Sequence, residues 1–161
     1  MYKISTSILS SNNLIDTIEK LNKSITDYIH LDVMDGLFVP NTKFSIEELK
    51  DILPQINKPM DIHLMVENPL PYIKAINNPN VEYITIHIEI NQDINSLIDT
   101  IKSSGYKVCL AIKPNTNIEE IIPYIEKIDM VLIMSVEPGY GGQKFIPNSV
   151  ERLKTIKKIN K

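Results

Sequence analysis

Apolar residues along this chain follow two alternating rhythms. Short continuous runs at Tyr2–Leu9, Asp27–Met34, Met60–Met65, Val81–Ile88, Tyr106–Ile112 and Met130–Val136 predict buried strands. Between them, apolar residues recur every three or four positions, which predicts helices packed by one face. Leu14, Ile18 and Leu21 mark the first helix. Ile94, Leu97, Ile98 and Ile101 mark another, with Gly105 placed for a left-handed C-terminal residue. Ser45-Ile-Glu-Glu48 has the form of a capping box, and Pro54 predicts the end of the helix that follows. Asn68 reads as an N-cap with Pro69 at the first helical position. Ile118, Ile121, Ile122 and Ile125 form a further helical stripe, and Asn148 is expected to cap a last helix through Val150, Leu153 and Ile156.

Six strand–helix units in strict alternation imply a parallel sheet covered by helices. An open doubly wound sheet and a closed (β/α)8 barrel both fit that order. Polar positions choose between them. Ser7, Asp32 with Met34, His63 with Met65, and the loop after Val136 all come late in their strands. In a barrel those ends converge on one mouth, whereas an open sheet spreads them along an edge. A TIM (β/α)8 barrel is therefore expected. Six units occupy 161 residues, about 27 each, so eight would need about 215. The expectation is one barrel domain over residues 1–161, holding the first six βα units and incomplete at the C-terminus. The chain stops inside the helix Lys154-Thr-Ile-Lys-Lys-Ile-Asn-Lys161, where a seventh strand should follow.

The chemistry lies in two segments, Tyr28-Ile-His-Leu-Asp-Val-Met-Asp-Gly-Leu-Phe-Val-Pro-Asn41 and Asp61-Ile-His-Leu-Met-Val-Glu-Asn-Pro69. Alternate strand residues share a face, so His30, Asp32 and Met34 point together, as do His63 and Met65. Burying imidazoles and a carboxylate is costly unless something offsets their desolvation, and a divalent metal does so. His30, Asp32 and His63 are ligand types that hold Fe2+, Zn2+, Mn2+ or Co2+. Met34 and Met65, one step further along, are either core filler or a soft, dry lining beside a reacting carbon. His87, in Ile84-Thr-Ile-His-Ile-Glu89, is a weaker candidate for the mouth. Val136-Glu-Pro-Gly-Tyr-Gly-Gly-Gln-Lys-Phe-Ile-Pro147 places Gly139, Gly141 and Gly142 between a strand and a helix, where backbone N–H groups can cradle a phosphate. Ser7 could hydrogen-bond a substrate, and Lys113 reads as a structural or solvated turn residue. A metal and a phosphate cradle at one mouth point to a phosphorylated sugar.

Net charge is −3 with no basic tract, which favours neither nucleic acid nor a membrane surface as partner. No apolar stretch approaches the ~18 residues that span a bilayer. The single cysteine, Cys109, excludes an internal disulfide and suits a reducing compartment as a buried thiol. A cytoplasmic protein is expected.

Ser7-Ile-Leu-Ser10, His30-Leu-Asp-Val-Met-Asp-Gly36, Phe38-Val-Pro-Asn41, His63-Leu-Met-Val-Glu-Asn-Pro69 and Val136-Glu-Pro-Gly-Tyr-Gly-Gly-Gln143 together resemble ribulose-phosphate 3-epimerases, from residue 2 to the end of the chain. That resemblance implies a metal-dependent barrel enzyme of the pentose phosphate pathway. It would interconvert D-ribulose 5-phosphate and D-xylulose 5-phosphate by moving the C3 proton through an enediolate. It implies His30, Asp32 and His63 as metal ligands, Asp32 as proton acceptor, and Ser7, His63, Gly139, Tyr140, Gly141 and Gly142 as substrate contacts. Self-association is common in the family. A second aspartate, the family's proton donor, and a strand 8 phosphate loop are expected beyond residue 161. Two alternatives are a hexulose-phosphate epimerase, such as one for allulose 6-phosphate, and an inactive chain that binds metal or sugar phosphate.

Overall fold

The computed structural model describes residues 2–159. Its elements follow in order as β1 (Ser5–Ser7), α1 (Leu14–Asn22), β2 (Tyr28–Asp35), β3 (Thr42–Lys43), α2 (Ile46–Ile52), β4 (Met60–Met65), α3 (Leu70–Ala75), β5 (Val81–His87), α4 (Ile94–Ser103), β6 (Lys107–Ile112), β7 (Met130–Ile133) and α5 (Asn148–Ile159). Two 3-10 helices, Leu53–Gln55 and Ile118–Lys127, complete the set. The sheet order is β1-β2-β4-β5-β6-β7, all parallel, with β3 paired antiparallel to β2.

No step in that order reverses direction, so the sheet has no switch point of the doubly wound kind. It curls instead. A single cavity of about 510 Å3 is lined by Ser5 and Tyr28 at one end of the strand order and by Cys109, Met130 and Leu132 at the other. Only a concave sheet brings first and last strands onto one space. The expected barrel architecture is thus present as a curled partial barrel.

The two faces of the sheet have different compositions. Ile29, Leu31 and Val33 of β2, Ile62 and Leu64 of β4, Ile84 and Ile86 of β5, and Val108 and Leu110 of β6 face outward and are fully buried against Ile18, Leu49, Ile73, Ile98 and Ile101 of the helices. Each such side chain contributes about 1.5–3 kcal/mol relative to exposure. The hydrophobic core therefore lies between sheet and helices, and the concave face is left for polar groups.

Several helix boundaries follow sequence chemistry. Ser45 and Glu48 close the capping box of α2 in both directions, and Gly105, at φ +86°, follows the C-cap Ser104 of α4. Other boundaries differ from those the sequence pattern predicts. The α3 N-cap is Pro69, not Asn68; Pro69 already has helical angles, and no side chain caps the helix. Asn148 is the first residue of α5, whose first turn is closed by the Ile146 and Pro147 carbonyls. The Ile118–Lys127 stripe winds as a 3-10 helix with Pro123 inside it. Proline removes the N–H and crowds the carbonyl four residues back, which an α-helix cannot absorb. β1 and β7 are shorter than the apolar runs around them, and no apolar run predicts the two-residue β3. The last two residues of the predicted terminal helix, Asn160 and Lys161, lie outside the described residues.

Candidate metal and acid–base site

β2 and β4 run side by side in a register that sets Asp32 beside His63, His30 beside Asp61 and Met34 beside Met65. Because alternate residues of both strands face the concave side, the register stacks three polar or thioether pairs from floor to mouth. His30 Nε2 lies 3.2 Å and His63 Nδ1 3.5 Å from Asp32 Oδ1. The donor atoms of His30, Asp32 and His63 all fall within 4.8 Å of one another. This is the trio expected from the sequence, brought to one point.

The remaining valences are occupied. Ser7 Oγ donates to Asp32 Oδ2 at 2.6 Å. His30 Nδ1 bonds to Asp61, whose second oxygen accepts from Ser5 Oγ. His63 Nε2 meets His87 Nε2 at 2.8 Å, and His87 Nδ1 meets Glu89 at 2.9 Å. Both histidines of the trio therefore turn one nitrogen toward Asp32 and anchor the other, the arrangement that orients ligands around a metal. Two imidazoles and a carboxylate of this kind fit a divalent transition ion.

Charges in the site are redistributed by burial and by neighbours. Burial alone would raise the Asp32 carboxyl, but the His30 and His63 rings beside it outweigh burial and hold the group well below the usual carboxylate range. For His30, burial favours the neutral ring, yet the flanking Asp32 and Asp61 carboxylates prevail and lift its pKa to about 10. His63 is governed by burial, which lowers it to about 4. His87 is lowered by burial as well. Asp32 is thus an ionised base between one proton-hungry and one neutral imidazole.

Above the trio lies a cavity of about 250 Å3, lined by Ser7, Met34, Met65, Pro138, Gly139 and Tyr140 among others. Gly139 (φ +111°) and Gly142 (φ +70°) adopt the left-handed region; Gly141 does not. A Cβ on Gly139 would stand 3.1 Å from Val39 Cβ, so glycine there allows close approach as well as the turn. Asn41 donates its amide to the Gly139 carbonyl at 2.7 Å and ties this loop to the β2–β3 connection. Gly141, against Ser10 Oγ, and Gly142 are absent from the cavity lining.

The sequence pattern passed over two participants, Asp61 and Met134; His87, the weaker candidate, takes a different place, and Lys113 is structural as its turn position suggests. Asp61 holds His30. Met134 completes the thioether lining with Met34 and Met65. His87 does not line the mouth; it is fully buried behind His63, with the Phe38 ring 4.7 Å away. Lys113 is structural: its N–H donates to Glu89, and its ammonium lies 3.8 Å from the Phe38 ring centroid. Asp61 and His87 carried the same signal as the trio, a chemically capable residue two positions from another along a strand run, whereas Met134 follows β7 between Leu132 and Val136 and carried none.

The whole described chain, and not the site alone, has counterparts elsewhere. A family model for the ribulose-phosphate 3 epimerase family matches residues 3–161. The chain belongs to the ribulose-phosphate 3-epimerase family. It is 35% identical to the cytoplasmic isoform of ribulose-phosphate 3-epimerase from Oryza sativa subsp. japonica, over 97% of this chain and 71% of the rice protein. Identity is also 35% to the Bacillus subtilis epimerase, over 99% of this chain and 74% of that protein, and 37% to the Methanocaldococcus jannaschii epimerase, over 99% and 68%. All three bear the ribulose-phosphate name, which does not favour the hexulose-phosphate alternative. In fold, the epimerase-family chain superposes on phospho-2-dehydro-3-deoxyheptonate aldolase from Thermotoga maritima with a TM-score of 0.61 and 14% identity, over 98% of this chain and 48% of the aldolase.

Proposed function

We propose that Asp32 is the base that removes the C3 proton as ribulose-phosphate 3-epimerase interconverts D-ribulose 5-phosphate and D-xylulose 5-phosphate. The observation that carries this reading is the position of Asp32: an ionised carboxylate facing the mouth, with Ser7 on one oxygen and His30 and His63 beside the other. A proton next to a carbonyl is acidic enough to transfer only if the oxygen that gains charge is stabilised. A divalent ion held by His30, Asp32 and His63 would act there as a Lewis acid and lower the cost of that charge. Ser7 fixes the carboxylate so that one oxygen stays directed at the substrate. Met34, Met65 and Met134 keep water from the reacting carbon, which strengthens every electrostatic term in the site. Gly139 and Tyr140 close over the far end of the cavity, where their backbone N–H groups would receive the phosphate.

Supporting a place in the cytoplasm are the single cysteine, Cys109, which is buried, and the cytoplasmic designation of the rice relative. Among the described residues, no helix is long and apolar enough to cross a membrane.

Asp32→Asn tests the assignment, because the amide keeps the shape and removes the base. Turnover of D-ribulose 5-phosphate is expected to fall by about a thousandfold or more. A variant that keeps a tenth of the wild-type rate would remove Asp32 from the acceptor role.

A further inference from the structure

His63 turns one nitrogen toward the mouth and the other into a polar chain that proton abstraction does not use. The chain runs from His63 Nε2 to His87 Nε2 at 2.8 Å, and from His87 Nδ1 to Glu89 Oε2 at 2.9 Å. Glu89 Oε1 then accepts the Lys113 backbone N–H at 2.6 Å. His87 is fully buried, so water does not compete for its nitrogens.

Counting hydrogens assigns the direction of the chain. An ionised carboxylate accepts and cannot donate, so His87 Nδ1 carries the hydrogen shared with Glu89. In a neutral ring, His87 Nε2 then bears a lone pair. Two nitrogens 2.8 Å apart need one hydrogen between them, and only His63 Nε2 can supply it. His63 Nδ1 is left with its lone pair aimed at Asp32, 3.5 Å away. We infer that Glu89 and His87 are positioning residues that lock His63 in its Nε2–H tautomer and present Nδ1 to the metal, a role that rests on His63 being a ligand. His30 needs no relay, because Asp61 holds its Nδ1 directly. Two ligands are thus oriented by two carboxylates, one adjacent and one acting through a second imidazole.

The chain contains three histidines, all of them in this network, so its nitrogen-labelled histidine spectrum is readable residue by residue. In the metal-free protein at neutral pH, His63 is expected as the Nε2–H tautomer and His87 as the Nδ1–H tautomer. His63 found protonated at Nδ1 instead overturns the inference. Binding of Co2+, followed in competition with a chelator, supplies the second readout. His87→Leu should weaken Co2+ binding about 10–100-fold. His87→Gln should recover most of the loss, since its amide oxygen can accept from His63 Nε2. Unchanged affinity in a folded His87→Leu variant, or no recovery in His87→Gln, counts against the relay. A wild-type chain that ignores Co2+ sinks the metal-site reading, whereas normal Co2+ binding with the wrong tautomer sinks this inference alone.

Discussion

His63 and His30 sit on the same concave surface with opposite proton affinities, and that contrast has measurable effects. His63→Ala removes one of three donors and is expected to lower bound metal at least tenfold along with turnover; metal stoichiometry by elemental analysis checks it, and full occupancy would take His63 out of the ligand set. Stability of the metal-free protein should depend on pH in two directions. His63 is near pH 4 in the fold against about 6.5 unfolded, so the unfolded chain binds more protons in that window and stability falls as pH drops through it. His30 is near 10 in the fold, so the folded chain binds more protons above 6.5 and stability falls as pH rises toward 10. Urea titrations should therefore show a maximum near pH 6.5, with the alkaline loss reduced in His30→Gln. A flat profile to pH 9.5 would contradict the His30 shift. Among these residues, His30, Asp32 and His63 were legible because polar groups at every second position of an apolar run are costly to bury unless they serve one another or a shared ion. His87 carried the same sign, but its burial depends on Phe38, which arrives from a different loop.

Elements were legible where the deciding chemistry is local. The Ser45–Glu48 box and the Gly105 turn lie within a few residues of what they control, and both appear where the sequence put them. Arg152 of α5 is the opposite case. Buried at 8% exposure, it donates from Nη1 to the Lys113 and Pro114 carbonyls and from Nη2 to the Thr116 carbonyl, all at 2.7–2.8 Å. Nothing in its own helix announces this, since its three partners lie some 36–39 positions earlier. The guanidinium pins α5 to the turn after β6, the same turn whose Lys113 N–H steadies Glu89. Arg152→Met keeps the volume and strands three carbonyls, so unfolding free energy is expected to drop by about 2–3 kcal/mol. Denaturation midpoints measure it, and a loss below about 0.5 kcal/mol would show that water replaces the guanidinium freely.

For the molecule as a whole, the division between a hydrocarbon layer outside the sheet and a polar hollow within it was readable from alternation alone, while the degree of curl was not, because curl is a sum of small inter-strand rotations. The strand order carries one more consequence. Every parallel strand after the first bonds to the parallel strand made just before it, with partners from 21 positions apart (Cys109 with Met130) to 31 (Ile29 with Met60). As the chain leaves the ribosome, each new strand finds its template already laid down and never waits for a later one. Assembly can keep pace with synthesis, unit by unit from the N-terminus. Ribosome-held chains ending after β5 should already resist protease across β2 and β4; resistance appearing only once α5 has emerged would mean that the sheet waits for the last helix before it sets.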